Sequence, residues 1–217
     1  MAEIILLRHS MTRGNLEGRY IGCRTDEPLC EEGIRLLADR IYPAVDRIYT
    51  SPMRRCIETA QAIWGDGLSA ACRRSGARTS EDGQDPCSGI RQIPIVPVPA
   101  LRECDFGEFE NKNYQELNGN PAYQAWIDSG GALPFPGGES PEAFKRRCQA
   151  GFEKIAGSIR ELPLRAAVVA HGGTIMAVLE RFGCPKKNYF DYQVKNGCGY
   201  ILTPAEGTDL WNYQCLP

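Results

Sequence analysis

Ile4-Ile5-Leu6-Leu7-Arg8-His9-Ser10 is the stretch whose reading decides the fold. Four apolar residues in a row, without helical periodicity, fit a strand buried on both faces, as in a parallel sheet. Such a strand releases Arg8 and His9 at its C-terminal end, where ligands bind in open α/β sheets. The pattern recurs: Ala166-Ala167-Val168-Val169-Ala170 runs into His171-Gly172-Gly173. The chain has 2 histidines, and each stands at the exit of an apolar run. A histidine after a strand is ordinarily a solvated or hydrogen-bonded loop residue. Two in matching contexts predict one site, with His9 facing His171.

The composition narrows the class. A chain of 217 residues can bury a full core, so one domain over 1–217 is expected. A net charge of -2 gives no reason to expect nucleic acid or an anionic membrane as partner. No apolar run reaches the length of a membrane span. Met1-Ala2-Glu3 lacks the basic start of a signal peptide. The 10 cysteines show neither Cys-x-x-Cys nor zinc-finger spacing, so reduced thiols in a cytoplasm are expected. Cys148 falls at helical spacing among Phe144, Phe152, Ile155 and Ile159 and reads as core packing.

After the first strand, Met11 to Asp26 is polar and glycine-rich and reads as a loop with at most one helical turn. It carries the donors Thr12, Arg13, Asn15, Arg19 and Arg24. A helix opens at Pro28-Leu29-Cys30-Glu31 and runs to about Ile41, with Ile34, Leu37 and Ile41 as its apolar stripe. Asp46 to Thr50 is a second short strand. Ser51 then caps a helix with Pro52 at its first position, which puts Arg54 and Arg55 in the first turn. Gly65 to Gln92 lacks periodicity and reads as a long surface loop. Ile93 to Val98 alternates proline with β-branched residues, as an edge strand tolerates. Short helical pieces fill Tyr114 to Ile127, and Pro134 to Gly138 is a turn. Ser140 caps a long helix to about Leu162, and terminal strands follow at Tyr200 to Leu202 and Leu210 to Tyr213.

Two histidines, clustered arginines and the carboxylates of Glu103, Asp105, Glu108 and Glu110 suit a site that processes an anion. A guanidinium grips phosphate bidentately and takes no part in proton transfer. A neutral imidazole is a competent nucleophile toward phosphorus, and a carboxylic acid can protonate the leaving oxygen. A metal reading is weaker, because adjacent arginines repel a dication and no His-x-x-x-His occurs. There is no Gly-x-Ser-x-Gly elbow and no P-loop.

Five blocks in order carry a resemblance. They are Leu7-Arg8-His9 with Thr12, Asn15 to Arg19 and Thr25-Asp26-x-Pro28-Leu29; Ser51-Pro52-Met53-x-Arg55-x-x-x-Thr59-Ala60; Leu101-Arg102-Glu103-x-Asp105-Phe106-Gly107; Pro136 to Ser140; and Val169-x-His171-Gly172-Gly173. Together they resemble the histidine phosphatase superfamily, which holds phosphoglycerate mutases and many small-molecule phosphatases. The resemblance implies a three-layer α/β/α sandwich with a mostly parallel central sheet. It implies His9 as the nucleophile that becomes phosphohistidine and Glu103 as general acid and base. Arg8, Arg55 and His171 would cradle the phosphoryl group. Ser10, Thr12, Asn15, Gly22 and Gly172 would be further phosphate or substrate contacts. No metal and no cofactor is implied, and the expected partner is a small phosphorylated metabolite. The chain departs from the family at Ser10, where glycine is usual, and at Met11, where Glu or Gln is common. The Asp105–Phe109 run and the Gly137-Gly138-Glu139-Ser140 block resemble the phosphatase branch, including α-ribazole phosphatases. A mutase, and a phosphate-binding protein without turnover, stand as the alternatives.

Overall fold

The computed structural model describes residues 2–65 and 93–216. The loop expected over 65–92 lies outside them except at its first residue. In chain order the elements are β1 (Glu3–Arg8), α1 (Arg13–Leu16), α2 (Glu31–Ala38), β2 (Arg47–Thr50) and α3 (Arg54–Trp64). Next come β3 (Ile95–Pro97), α4 (Tyr114–Leu117), α5 (Pro121–Asp128), α6 (Pro141–Ile159) and β4 (Arg165–Ala170). The chain closes with α7 (Gly172–Phe182), β5 (Gly183–Cys184), β6 (Gly199–Pro204) and β7 (Trp211–Cys215).

The seven strands form one sheet in the order β3-β2-β4-β1-β6-β7-β5. Pairing is parallel from β3 through β1, antiparallel at β1/β6 and β6/β7, and parallel again at β7/β5. β1 and β4 sit at the centre, and within them Ile4–Leu7 and Ala166–Ala170 are unbroken apolar runs because both faces are covered. Alternate residues of β1 feed opposite layers. Ile4 and Leu6 pack with Phe152, Ile155 and Ile159 of α6 and Ile175, Val178 and Leu179 of α7. Ile5 and Leu7 pack with Leu37 of α2 and Cys56, Ala60, Ile63 and Trp64 of α3. The result is the three-layer α/β/α sandwich expected from the sequence. Burying each such aliphatic or aromatic side chain contributes about 1.5–3 kcal/mol. β3, with Pro97, lies at a sheet edge, where a missing N–H leaves no ladder partner unsatisfied.

Local signals hold at α6. Ser140 accepts from the Ala143 N–H, Pro141 opens the helix and Cys148 is fully buried, though the helix ends at Ile159 and not at Leu162. Two expectations are corrected. In α2 only Leu37 of the expected stripe is buried; Ile34 and Ile41 are exposed, because the helix stops at Ala38 and turns Gly33 and Leu37 inward. In α3 the cap is Met53, with no side-chain bond, and helix begins at Arg54. The Ser51 hydroxyl accepts from the Met53 N–H at 3.3 Å, just ahead of the helix, and has a second partner described below.

Candidate active site

Register builds the site. In the central parallel pair Arg8 lies opposite Ala170, so His9 and His171 occupy the next position on adjacent strands. The His9 N–H donates to the Ala170 carbonyl at 2.9 Å. The two imidazoles meet edge to face with centroids 5.2 Å apart. On the far side of β4, Thr50 lies opposite Val169, so Ser51 leaves β2 beside His171. Its Oγ is 2.7 Å from His171 Nε2.

His9 is buried, and its Nδ1 lies 2.6 Å from the Ser10 carbonyl. A carbonyl oxygen only accepts, so Nδ1 carries the proton of the neutral ring and Nε2 keeps its lone pair. Burial, then the Arg55 and Arg8 charges, hold the His9 pKa well below 6.5. The same burial and the same Arg55 charge depress His171. Both rings are therefore neutral near neutral pH.

Arg55, on the first turn of α3, is fully buried. It donates to the carbonyls of Thr25, Ile21 and Gly22 at 3.0, 3.4 and 3.1 Å. Arg8 donates through Nη1 to the Val194 carbonyl at 2.7 Å. The Nε–H groups of both arginines are buried without an acceptor. Among the described residues neither arginine has a carboxylate within ion-pair distance. Buried donors left unmade are costly, so these two Nε–H groups are candidates to meet an acceptor that the described residues do not supply.

Glu103 is the carboxyl of the cluster. It is 9% exposed, its Oε1 accepts from the Cys104 N–H at 2.9 Å, and its Oε2 stands 3.8 Å from His171 Nδ1. Burial raises its pKa above the usual carboxylate value, against the opposing Cys104 N–H bond and the Arg55 and Arg8 charges. Histidine and carboxylate are thus pushed in opposite directions, the pattern that separates base from acid in an active site.

The model of the histidine phosphatase superfamily (branch 1) matches residues 4–71 and 80–214. The chain belongs to the histidine phosphatase superfamily. It is 26% identical over 204 residues to the adenosylcobalamin/alpha-ribazole phosphatase of Escherichia coli, covering 89% of this chain and 85% of that protein. It is 31% identical over 187 residues to the 2,3-bisphosphoglycerate-dependent phosphoglycerate mutase 2 of Gloeobacter violaceus, covering 82% and 74%. The alpha-ribazole phosphatase structure from Shigella flexneri matches with a TM-score of 0.74 at 21% identity, over 99% of this chain and 95% of that one. The relatives include both phosphatases and mutases.

In this member of the superfamily the structure gathers His9, His171, Arg8, Arg55 and Glu103, with Gly172 at the N-terminus of α7 beside them. A Cβ on Gly172 would lie 3.6 Å from the Arg8 guanidinium carbon. Four other candidates sit in the supporting structure. Ser10 is fully buried; its hydroxyl donates to the Gly33 carbonyl at 2.7 Å and its N–H to Thr59 Oγ1 at 3.0 Å. Thr12 is fully buried and caps α1, accepting from the Asn15 N–H. The Asn15 Oδ1 returns that bond to the Thr12 N–H. Gly22 donates its N–H to Glu110 and offers its carbonyl to Arg55. The loop cations Arg13, Arg19 and Arg24 are each paired with carboxylates and stand apart from the cluster. Of the four carboxylates after Leu101, only Glu103 joins the histidines; Asp105 holds Arg24, and Glu110 accepts from Gly22, Arg24 and Phe106 N–H groups.

Sequence reasoning passed over Asn196. Its Nδ2 donates to the His9 carbonyl at 3.0 Å and approaches the Ser10 carbonyl at 3.4 Å and Asn15 Oδ1 at 3.3 Å, which ties down the backbone around the imidazole. A lone asparagine in an aperiodic stretch gave no signal. Ser51, expected as a helix cap, accepts from the Met53 N–H ahead of the helix and also sets its hydroxyl against His171.

Proposed function

We propose that this chain is a phosphatase that hydrolyses a small phosphomonoester through a phosphohistidine on His9. One observation carries the reading. A proton-fixed imidazole presents its free Nε2 beside two buried guanidiniums whose Nε–H groups have no acceptor. The phosphoryl oxygens would take those donors. His9 Nε2 attacks phosphorus, the ester P–O bond breaks, and the Glu103 carboxyl gives its proton to the leaving oxygen. Glu103, now a carboxylate, takes a proton from water, whose oxygen attacks phosphorus. The P–N bond then breaks and His9 is regenerated. His171, neutral and bonded to Ser51, is placed to donate to the transferring group. General-acid assistance of this kind contributes roughly 10²–10⁴-fold. The scheme needs no metal, because the charge on the phosphoryl group is met by Arg8 and Arg55.

The described cysteines are free thiols, which agrees with a cytoplasmic location. The likeness to a phosphoglycerate mutase favours a second reading, in which the phosphohistidine passes its group to another alcohol instead of water.

The test is hydrolysis of an aryl phosphate by wild type and His9→Ala, with and without EDTA. Activity that survives the chelator and vanishes in the variant supports the scheme. Activity lost to EDTA but retained by His9→Ala overturns it. A bisphosphate-primed isomerisation of phosphoglycerate without net hydrolysis would select the mutase.

A further inference from the structure

Glu103 is the proposed acid, yet among the described residues its carboxylate accepts one hydrogen bond, from its neighbour's N–H. Its position therefore depends on its backbone. That backbone is held by Arg147, from the second turn of α6. Arg147 Nη1 donates to the carbonyls of Ala100 and Arg102 at 2.8 and 2.9 Å, and Nη2 reaches the Glu103 carbonyl at 3.4 Å. The rest of the fork is a bidentate pair with Glu139, at 3.0 Å from Nε and 2.7 Å from Nη2. Five contacts use the five N–H groups that a guanidinium has. Arginine and carboxylate side chains are 18% and 14% exposed, so this is no surface ion pair. Glu139 is itself fixed, its N–H donating to the Asp105 carbonyl at 2.9 Å. The acid-bearing segment is thus held up to Glu103 by the Arg147 guanidinium and beyond it, at Asp105, by the backbone of its partner Glu139.

We propose that Arg147 is a positioning residue for Glu103, setting the acid's backbone so that its carboxyl reaches the leaving oxygen. The inference rests on the assignment of Glu103 above. Lysine cannot reproduce it, since an ammonium is a point donor and three carbonyls and a carboxylate need a planar fork.

The leaving group separates positioning from general damage. An alkyl phosphate needs a proton on its departing oxygen; p-nitrophenyl phosphate releases a stabilised phenolate and does not. A displacement of about 1 Å in a catalytic group can cost up to roughly 10²-fold. Arg147→Gln should lower kcat/KM on an alkyl phosphate by about ten- to a hundredfold while changing kcat/KM on p-nitrophenyl phosphate by less than about threefold, because kcat/KM reports only the steps through P–O cleavage and not the later water step, which both substrates share. Arg147→Lys should fall between. Equal losses on both substrates, or no loss on either, overturn the proposal. Glu103→Gln run in parallel tests the underlying assignment: if it shows no leaving-group selectivity, the acid is misassigned. A crystal structure of Arg147→Gln gives a readout free of turnover. An Oε2–His171 Nδ1 separation unchanged from 3.8 Å would overturn the proposal, and a lengthened one would support it. Should Arg147→Gln not fold, Glu139→Gln, which breaks only the bidentate half, should give the same selectivity in milder form, and equal losses would again refute it.

Discussion

Phosphate should stabilise this protein strongly, through donors that the folded chain leaves unsatisfied. Arg8 and Arg55 each bury an Nε–H without an acceptor, and neither has a carboxylate partner among the described residues. An oxyanion bound there exists only in the folded state. At a phosphate concentration 100 times its dissociation constant it adds about 2.7 kcal/mol. For a 217-residue chain each kcal/mol moves Tm by roughly 2–4 °C, so a rise of about 5–11 °C is expected. Arg8→Met removes one of the two guanidiniums at the loss of one backbone bond, to Val194. A charge-assisted bond is worth about 1.5–3 kcal/mol, so at the same phosphate concentration the stabilisation should fall to about 0.3–1.3 kcal/mol. Differential scanning fluorimetry of both proteins across a phosphate titration, with chloride at matched ionic strength as control, measures it. A wild-type shift no larger than with chloride would refute the reading of these arginines as an anion cradle. A shift undiminished in Arg8→Met would place the anion elsewhere.

Three further outcomes follow from the same geometry. The pH profile of kcat/KM on an alkyl phosphate should be a bell: the acid limb lies below 6.5, where the depressed His9 finally protonates, and the basic limb above 4.5, where Glu103 loses its proton. Glu103→Gln should remove the basic limb; a variant profile that still falls into alkaline pH would contradict the roles. Stability should decline as pH falls below 6.5, because His9 and His171 titrate lower in the folded state than in the unfolded one. The slope per group is at most about 1.4 kcal/mol per pH unit, and His171→Asn should lessen it in urea melts between pH 7 and 5.5. Ser51→Ala should cut kcat about five- to thirtyfold by freeing the His171 ring, equivalent to about 1–2 kcal/mol for one buried hydrogen bond, with phosphate affinity changed less.

The central pair of strands was legible because double-sided burial demands an unbroken apolar run, and such a run ends abruptly at Arg8-His9 and at His171. The α6 start was legible because Ser140-Pro141 acts through bonds three residues away. What stayed hidden depends on partners distant in the chain. Arg19 and Arg55 look alike in sequence, yet Arg19 is neutralised by Glu116, 97 positions on, while Arg55 meets only carbonyls. The Ser51 hydroxyl reads as a cap until β2 is laid beside β4, which brings it to a histidine 120 residues away. Met53 then takes the cap position, and the helix starts later than its proline suggests. Asn196 and Arg147 act by bonding backbone carbonyls, which carry no sequence signature at all.

Burial alone would not assign the roles of acid and nucleophile, for it pushes any charged group toward its neutral form. The arrangement of the cations does the rest. Arg8 and Arg55 lower the pKa of His9 and also pull against the raised pKa of Glu103, so both groups feel the same two charges. For the imidazole, burial and cations act in one direction and secure the neutral ring. For the carboxyl they compete, and burial prevails, so its pKa lies above the usual carboxylate value while the cations still favour its ionised form. An arriving phosphate, negatively charged and bonded to those arginines, cancels their pull. Its electrostatic effect on Glu103 is then to favour the protonated acid at the moment a leaving oxygen needs a proton. When the alcohol departs and water enters, the same carboxyl faces a phosphoryl group on nitrogen and can take the proton back. The cradle and the acid are therefore one electrostatic unit, and Arg8→Met should change the Glu103-dependent basic limb of the pH profile as well as phosphate affinity. If affinity fell while that limb stayed fixed, the coupling argued here would be wrong.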